Sequence, residues 1–156
     1  MCFNFFKKKP TPQPTPFDLG PILQEDGWWI DDLLIGNIPE MARGVERLPL
    51  DGKYWIPGLE DCLKIIEWDF IDRKQYLIDR FDCDDFAAAF FAQVRTSYFV
   101  NNVALVIDWS SGHAYNLIFT SEGKLILFEP QSDKYWDIND HNFADPYALK
   151  RAQIII

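Results

Sequence analysis

Residues 80–94, Arg80 to Val94, read RFDCDDFAAAFFAQV and decide how the chain is organised, because they place one thiol among three carboxylates at the start of an apolar helical repeat. Asp82 is a good N-cap, and acidic residues in a first helical turn match the helix dipole. Phe86, Ala87, Phe90, Phe91 and Val94 then recur at spacings that cover most of a helix circumference, which predicts a buried central helix. The surroundings of Cys83 pull in opposite directions. Neighbouring carboxylates disfavour the thiolate, whereas a helix N-terminus favours it. Cys83 is therefore either an inert apolar residue or a thiol whose acidic neighbours are neutralised by something else.

Downstream of this helix the apolar period changes from about 3.6 to 2. VALVIDW, HAYNLIF and KLILFE are three apolar segments separated by SSG and TSEG, the pattern of an antiparallel meander, and AQIII adds another strand. A central helix carrying the cysteine and packed on an antiparallel sheet is an α+β arrangement. Upstream, Leu59, Cys62, Leu63, Ile66 and Phe70 share a helical face, so Cys62 is read as a small core residue, and Tyr76, Leu77 and Phe81 are read as continuing helical structure. WWIDDLLI and YWI, broken by Gly and Pro, predict short helices, loops and one strand.

The chain of 156 residues has the length of one domain, and its formal charge of −9 excludes nucleic acid as the partner of the folded part. Lys7, Lys8 and Lys9 hold three of the positive charges, so the remainder is more acidic still and suited to cations. No apolar run approaches the roughly 18 residues of a membrane span. Cys2, Cys62 and Cys83 are too few and too scattered for a disulfide framework or a zinc cluster. In residues 1–16 the basic run follows the aromatics and no small-residue cleavage site appears, so no signal peptide is read and the chain is expected in the cytoplasm at synthesis. Pro10, Pro12, Pro14 and Pro16 alternate with polar residues as in a solvated polyproline-like linker. The reading is thus a flexible basic, Pro-rich tail over 1–16, able to dock on an acidic partner or membrane surface, followed by a single domain over 17–156.

Pairing HAYNLIF with KLILFE across a turn at Ser121 to Gly123 brings His113 within two or three residues of the position opposite Glu129. If the helix packs with its N-terminus at that end, Cys83, His113 and Glu129 form the nucleophile, base and orienting group of acyl transfer. Gly112 permits close approach there, and Asn116 and Gln131 add amides, whereas His141 lies in a loop-like stretch and is read as surface.

FDCDDFA, GHAYN and LFEPQ together resemble the motifs of papain-like and transglutaminase-like cysteine enzymes, and most closely the C-terminal protease domain of agglutinins of the Marasmius oreades type. The resemblance implies a papain-like fold with catalytic Cys83, His113 and Glu129, and calcium or manganese beside the site. Asp84, Asp85, Asn116 and Gln131 are the expected metal ligands. A calcium-dependent cysteine peptidase acting on a protein or peptide substrate follows, with transglutaminase-type transfer and peptidoglycan cleavage left open. The alternative is a catalytically silent papain-fold domain that binds calcium or a protein partner. The β-trefoil lectin domain that accompanies the fungal protease has no counterpart in this sequence, so the resemblance does not carry carbohydrate binding over to it.

Overall fold

The computed structural model describes residues 17–38, 41, 43–144 and 146–156. The expected tail over 1–16, with Cys2 and its lysines, lies outside the described residues. The elements run β1 (Leu23–Asp26), α1 (Gly27–Asn37), β2 (Val45–Leu48), β3 (Lys53–Ile56), α2 (Leu59–Glu67), a 3-10 turn (Ile71–Arg73), α3 (Cys83–Tyr98), β4 (Val103–Asp108), β5 (His113–Phe119), β6 (Leu125–Glu129), β7 (Lys134–Asp137), a second 3-10 turn (Ile138–Asp140) and β8 (Ala152–Ile155). Strands β1 and β3 form a small antiparallel ribbon, and the other six form one sheet in the order β2-β8-β4-β5-β6-β7.

The main sheet is mixed. The expected purely antiparallel sheet is corrected, because β2 pairs in parallel with β8 at one edge while the remaining pairings are antiparallel. The sequence reading gave one strand before Pro57, where the structure has β1, β2 and β3, and it lacked β7; LQED, VERL and KYWD, of four residues each, are too short and too polar to show a two-residue period. The helical continuation expected from Tyr76 to Phe81 is also corrected. Leu77 and Phe81 instead bracket a tight turn in which the Leu77 N–H donates to the Phe81 carbonyl at 2.9 Å and the Phe81 N–H returns to Leu77 at 2.8 Å.

Both faces of the central strands are covered. On one face Ala104, Val106, Tyr115, Leu117, Phe119, Leu125 and Leu127 pack with Ile30 and Leu34 of α1. On the other, Val103, Ile118, Ile126 and Phe128 pack with Cys62, Ile65 and Ile66 of α2 and Phe90 and Val94 of α3. This explains why every residue of β6 is buried and why its sequence reads as a continuous apolar run. Helix α3 is less enclosed than its sequence suggests. Phe86, Ala87, Phe90, Val94 and Tyr98 form its buried stripe, while Phe91 is only half-buried and stacks under the Arg95 guanidinium, 4.4 Å from the ring centre.

One polar side chain fixes α3 to the sheet. Asn116, wholly buried in β5, donates through Nδ2 to the Ala87 carbonyl of α3 at 3.0 Å and to the Ala104 carbonyl of β4 at 3.1 Å. A buried amide that satisfies two carbonyls on different elements sets their relative position, and its loss costs more than a solvent-exposed bond. Replacing Asn116 with Leu is expected to destabilise the fold by about 1–3 kcal/mol, seen as a fall of several degrees in thermal unfolding by circular dichroism. An unchanged midpoint would contradict this role.

Candidate functional site

The site lies where β5 begins. Register along the β5–β6 pair, from Phe119 opposite Leu125 to Asn116 opposite Phe128, puts Glu129 across from Tyr115 and diagonal to His113. His113, Tyr115 and Glu129 therefore share one face. His113 Nε2 lies 2.6 Å from Glu129 Oε2. The same oxygen accepts from the Tyr147 hydroxyl at 3.0 Å, and Glu129 Oε1 accepts from the Gln131 N–H at 3.2 Å. Glu129 is buried yet fully engaged, as a buried carboxylate must be. It fixes the imidazole so that Nδ1 is the ring nitrogen left for other partners.

Cys83 reaches the same place from the opposite face. It is the first residue of α3, and its thiol takes a backbone hydrogen bond at Ala114, next to His113. Gly112, at φ +63°, precedes His113 and has nothing within 4 Å of where a side chain would start. The two faces thus meet around a strand end that carries no obstructing atoms. Cys83, Asp84, Ile107, Asp108, Trp109, Gly112, His113 and Ala114 line a cleft of about 350 Å³.

Asp108 and Trp109 build the far wall. Asp108 is buried and accepts from the Leu149 N–H at 2.8 Å and the Tyr115 hydroxyl at 3.2 Å through one oxygen, and from the Ser110 N–H at 3.0 Å and the Ser110 hydroxyl through the other. This carboxylate holds the C-terminal segment and the β4–β5 turn together. Trp109, next in sequence, is left with its side chain 54% exposed at the cleft rim. Behind His113 an aromatic group supports the ring, with Tyr147 5.5 Å and Tyr115 5.9 Å away, centre to centre. His141, expected at the surface, belongs to this group, its Nε2 3.0 Å from the Tyr147 carbonyl and its ring against Phe143.

Burial and nearby charge at the cleft disfavour the thiolate. Burial first, then the charges of Asp82 and Asp84, push the Cys83 thiol up, and these outweigh the hydrogen bonds at Ala114 and Asp84. A hydrogen bond between Asp82 and Asp84 lowers Asp82 and raises Asp84. The residues expected as metal ligands are dispersed. Asp85 Oδ2 accepts the Asp82 N–H at 3.3 Å in the helix cap, the Asn116 amide is turned to Ala87 and Ala104, and Gln131 is tied through its backbone to Glu129. Among the described residues, ligand atoms gather within 4.8 Å of one another at Asp82, Cys83 and Asp84. Two carboxylates and a thiol fit a hard cation poorly, because calcium takes six to eight oxygens.

No protein-family model matches the chain, and no curated protein does. Solved structures do match. One, described as "PSL1a-E64 complex", superposes with a TM-score of 0.62 at 22% identity over 86% of this chain and 50% of its own. Another, Polyporus squamosus lectin bound to the human-type influenza-binding epitope Neu5Aca2-6Galb1-4GlcNAc, gives a TM-score of 0.61 at 22% identity over 84% of this chain and 49% of its own. The chain spans about half the length of the structures it matches, and at this identity the likeness is one of fold.

This finding corrects the assignment made from FDCDDFA, GHAYN and LFEPQ. The architecture is shared with part of a lectin chain, so the papain-like α+β fold, the calcium-dependent cysteine peptidase, its silent papain-fold alternative and the hydrolase vocabulary attached to them are set aside. Burial and the charges of Asp82 and Asp84 raise the Cys83 thiol, which disfavours the thiolate. What the motifs do mark is position: Cys83 and His113 line one cleft and Glu129 anchors His113 from beneath. Sequence reasoning missed Tyr147, Asp108 and Trp109. The available signal for the last two was DW at the very end of an apolar strand, where a polar-aromatic pair marks a rim.

Alkylation reads out the thiol directly. In a Cys2→Ala background, Cys83 is expected to be modified well before Cys62, which is fully buried and pushed up to about 12. Because the folded-state pKa of Cys83 is raised, its rate at pH 7 stays below that of a free thiol and keeps climbing through pH 9, measured by mass spectrometry of iodoacetamide adducts. A rate already at its plateau by pH 7 would contradict this electrostatic account.

Proposed function

We propose that the chain is a glycan-binding domain and that the cleft between Cys83, Trp109 and His113 receives the sugar. The observation that carries this reading is Trp109, an indole half-exposed at the rim of a cleft whose other walls present an imidazole and the Asp84 carboxylate. A sugar ring offers an apolar C–H face and a fringe of hydroxyls, so it needs one aromatic surface beside a few fixed polar groups. The fold shared with a lectin structure adds support by analogy.

The charge of the cleft narrows the class of glycan. Asp84 lines the cleft, with Asp82 close by, and no lysine or arginine is among the lining groups. A sialic acid carboxylate would meet like charge there, whereas a neutral hydroxyl finds acceptors. Neutral oligosaccharides are thus the favoured ligands of this chain. The chain carries no helix long and apolar enough to cross a membrane among the described residues.

Binding to a glycan array followed by calorimetry tests the reading. Neutral glycans are expected to be retained in preference to their sialylated counterparts, and Trp109→Ala is expected to weaken binding at least about tenfold, the loss of one stacking contact plus its excluded water. Unchanged thermal unfolding of that variant separates lost recognition from lost fold. Absence of binding to any glycan, or binding indifferent to Trp109→Ala, would overturn the proposal.

A further inference from the structure

The cleft does not end at Trp109. Its indole also lines a second depression of about 440 Å³, whose other walls are Gly44, Glu46, Arg151, Ala152 and Gln153. Strand register makes the two continuous. Ala114 of β5 pairs with Ile107 of β4, Ile107 pairs with Gln153 of β8, and Gln153 pairs with Glu46 of β2. Directly paired residues point to the same face of a sheet, so these residues form one row across neighbouring strands. Ala114 and Ile107 line the cleft, while Gln153 and Glu46 line the depression. From Ile107 to Glu46 the row crosses two strand spacings, about 10 Å.

Backbone packing builds this extension. A Cβ at Gly44 would collide with the Lys150 carbonyl oxygen, so a glycine lets β2 start against the C-terminal segment, where the Ala152 N–H donates to the Gly44 carbonyl at 3.0 Å. The Ser110 N–H donates to the Arg151 carbonyl at 3.2 Å, which ties Arg151 to the turn that follows Trp109. Along the row the burial falls. Ala114 is buried, Ile107 and Gln153 are half-buried and Glu46 is exposed, so the surface opens from the cleft toward solvent. A carboxylate, an amide and a guanidinium together offer both acceptors and donors. With the indole beside them, they repeat the pairing of one aromatic surface with a few polar groups that the cleft already shows.

We propose that Gln153, Glu46 and Arg151 form a second sugar subsite, so that the ligand is an oligosaccharide of two or more units running from the cleft across β8 to the β2 edge. The inference rests on the glycan reading of the cleft and extends it to the length of the ligand. One ring occupies the cleft, and the next lies over Gln153 with its hydroxyls toward the Glu46 carboxylate and the Arg151 guanidinium. Trp109 is shared by the two subsites. Glu46 and Arg151 bring one charge of each sign, so this subsite reads the pattern of hydroxyls and adds no net preference for an ionic sugar. The second ring binds with the advantage of linkage, because the first already holds it near its partners.

Calorimetry on the full chain with neutral pairs of sugars tests it: glucose and cellobiose, galactose and lactose, mannose and mannobiose, N-acetylglucosamine and chitobiose. In the pair that binds, the disaccharide is expected to bind at least about tenfold tighter than its monosaccharide. The double variant Glu46→Ala with Gln153→Ala is expected to lose that gain, so that both sugars bind with the wild-type affinity for the monosaccharide. Glu46→Gln, which keeps a hydrogen-bonding oxygen, is expected to retain most of the gain. An unchanged unfolding midpoint in each variant shows that the fold is kept. Equal affinity for the two sugars in wild type, or an equal loss for both in the double variant, would overturn the second subsite while the cleft still binds sugar. Binding of none of these sugars would overturn it as well, and the glycan array then decides the cleft.

Discussion

Two-sided burial of β4, β5 and β6 is the constraint from which the rest of the structure follows. Helix α1 closes one face, and α2 with α3 closes the other, so side chains along the middle of these strands are buried and functional groups are left to the strand ends. At the start of β5 the alternation of side chains delivers His113 to one face, while the backbone of Ala114 takes the Cys83 thiol on the other. Gly112 removes the barrier between them. The cleft is a consequence of where a doubly covered sheet must stop.

Three buried polar side chains join distant parts of the chain through hydrogen bonds. Asn116 joins α3 to β4, Asp108 joins the strand end to Leu149, and Glu129 gathers His113, Tyr147 and Gln131. These hydrogen bonds tie the cleft walls to the sheet and to the C-terminal segment. Buried oxygens without a hydrogen-bond partner remain at Asn102 and Asn116 as well as at Asp69, Asp72 and Asp133.

Strong local signals made much of the architecture legible. The Asp82 cap, the apolar stripe of α3 and the period-two runs of β4, β5 and β6 follow from sequence because local chemistry and tertiary burial agree there. Short edge strands β2 and β7 were not legible, since pairing with neighbours, and not an intrinsic period, makes them strands. Phe70 and Tyr76 continued an apolar pattern, yet the backbone turns away at Trp68 and leaves both exposed. At the site, sequence expected Cys83, His113 and Glu129 near one strand end and read acyl-transfer roles from that pairing and from resemblance; in the structure Cys83 and His113 line one cleft and Glu129 bonds His113. What it lacked was the sign of the thiol shift, which depends on burial, and the contributions of Tyr147 and Trp109, which depend on contacts 18 residues from Glu129 and on a rim visible only in three dimensions.

The central claim is that the strand-end cleft is a place of recognition. Backbone amide NMR of the labelled chain during titration with a neutral oligosaccharide addresses it residue by residue. Shifts concentrated at Cys83, Asp84, Trp109 and Gly112 to Ala114, with the distant Cys62 region still, are the predicted result. Saturable shifts centred elsewhere, or none at all while the spectrum remains that of the folded chain, would contradict it.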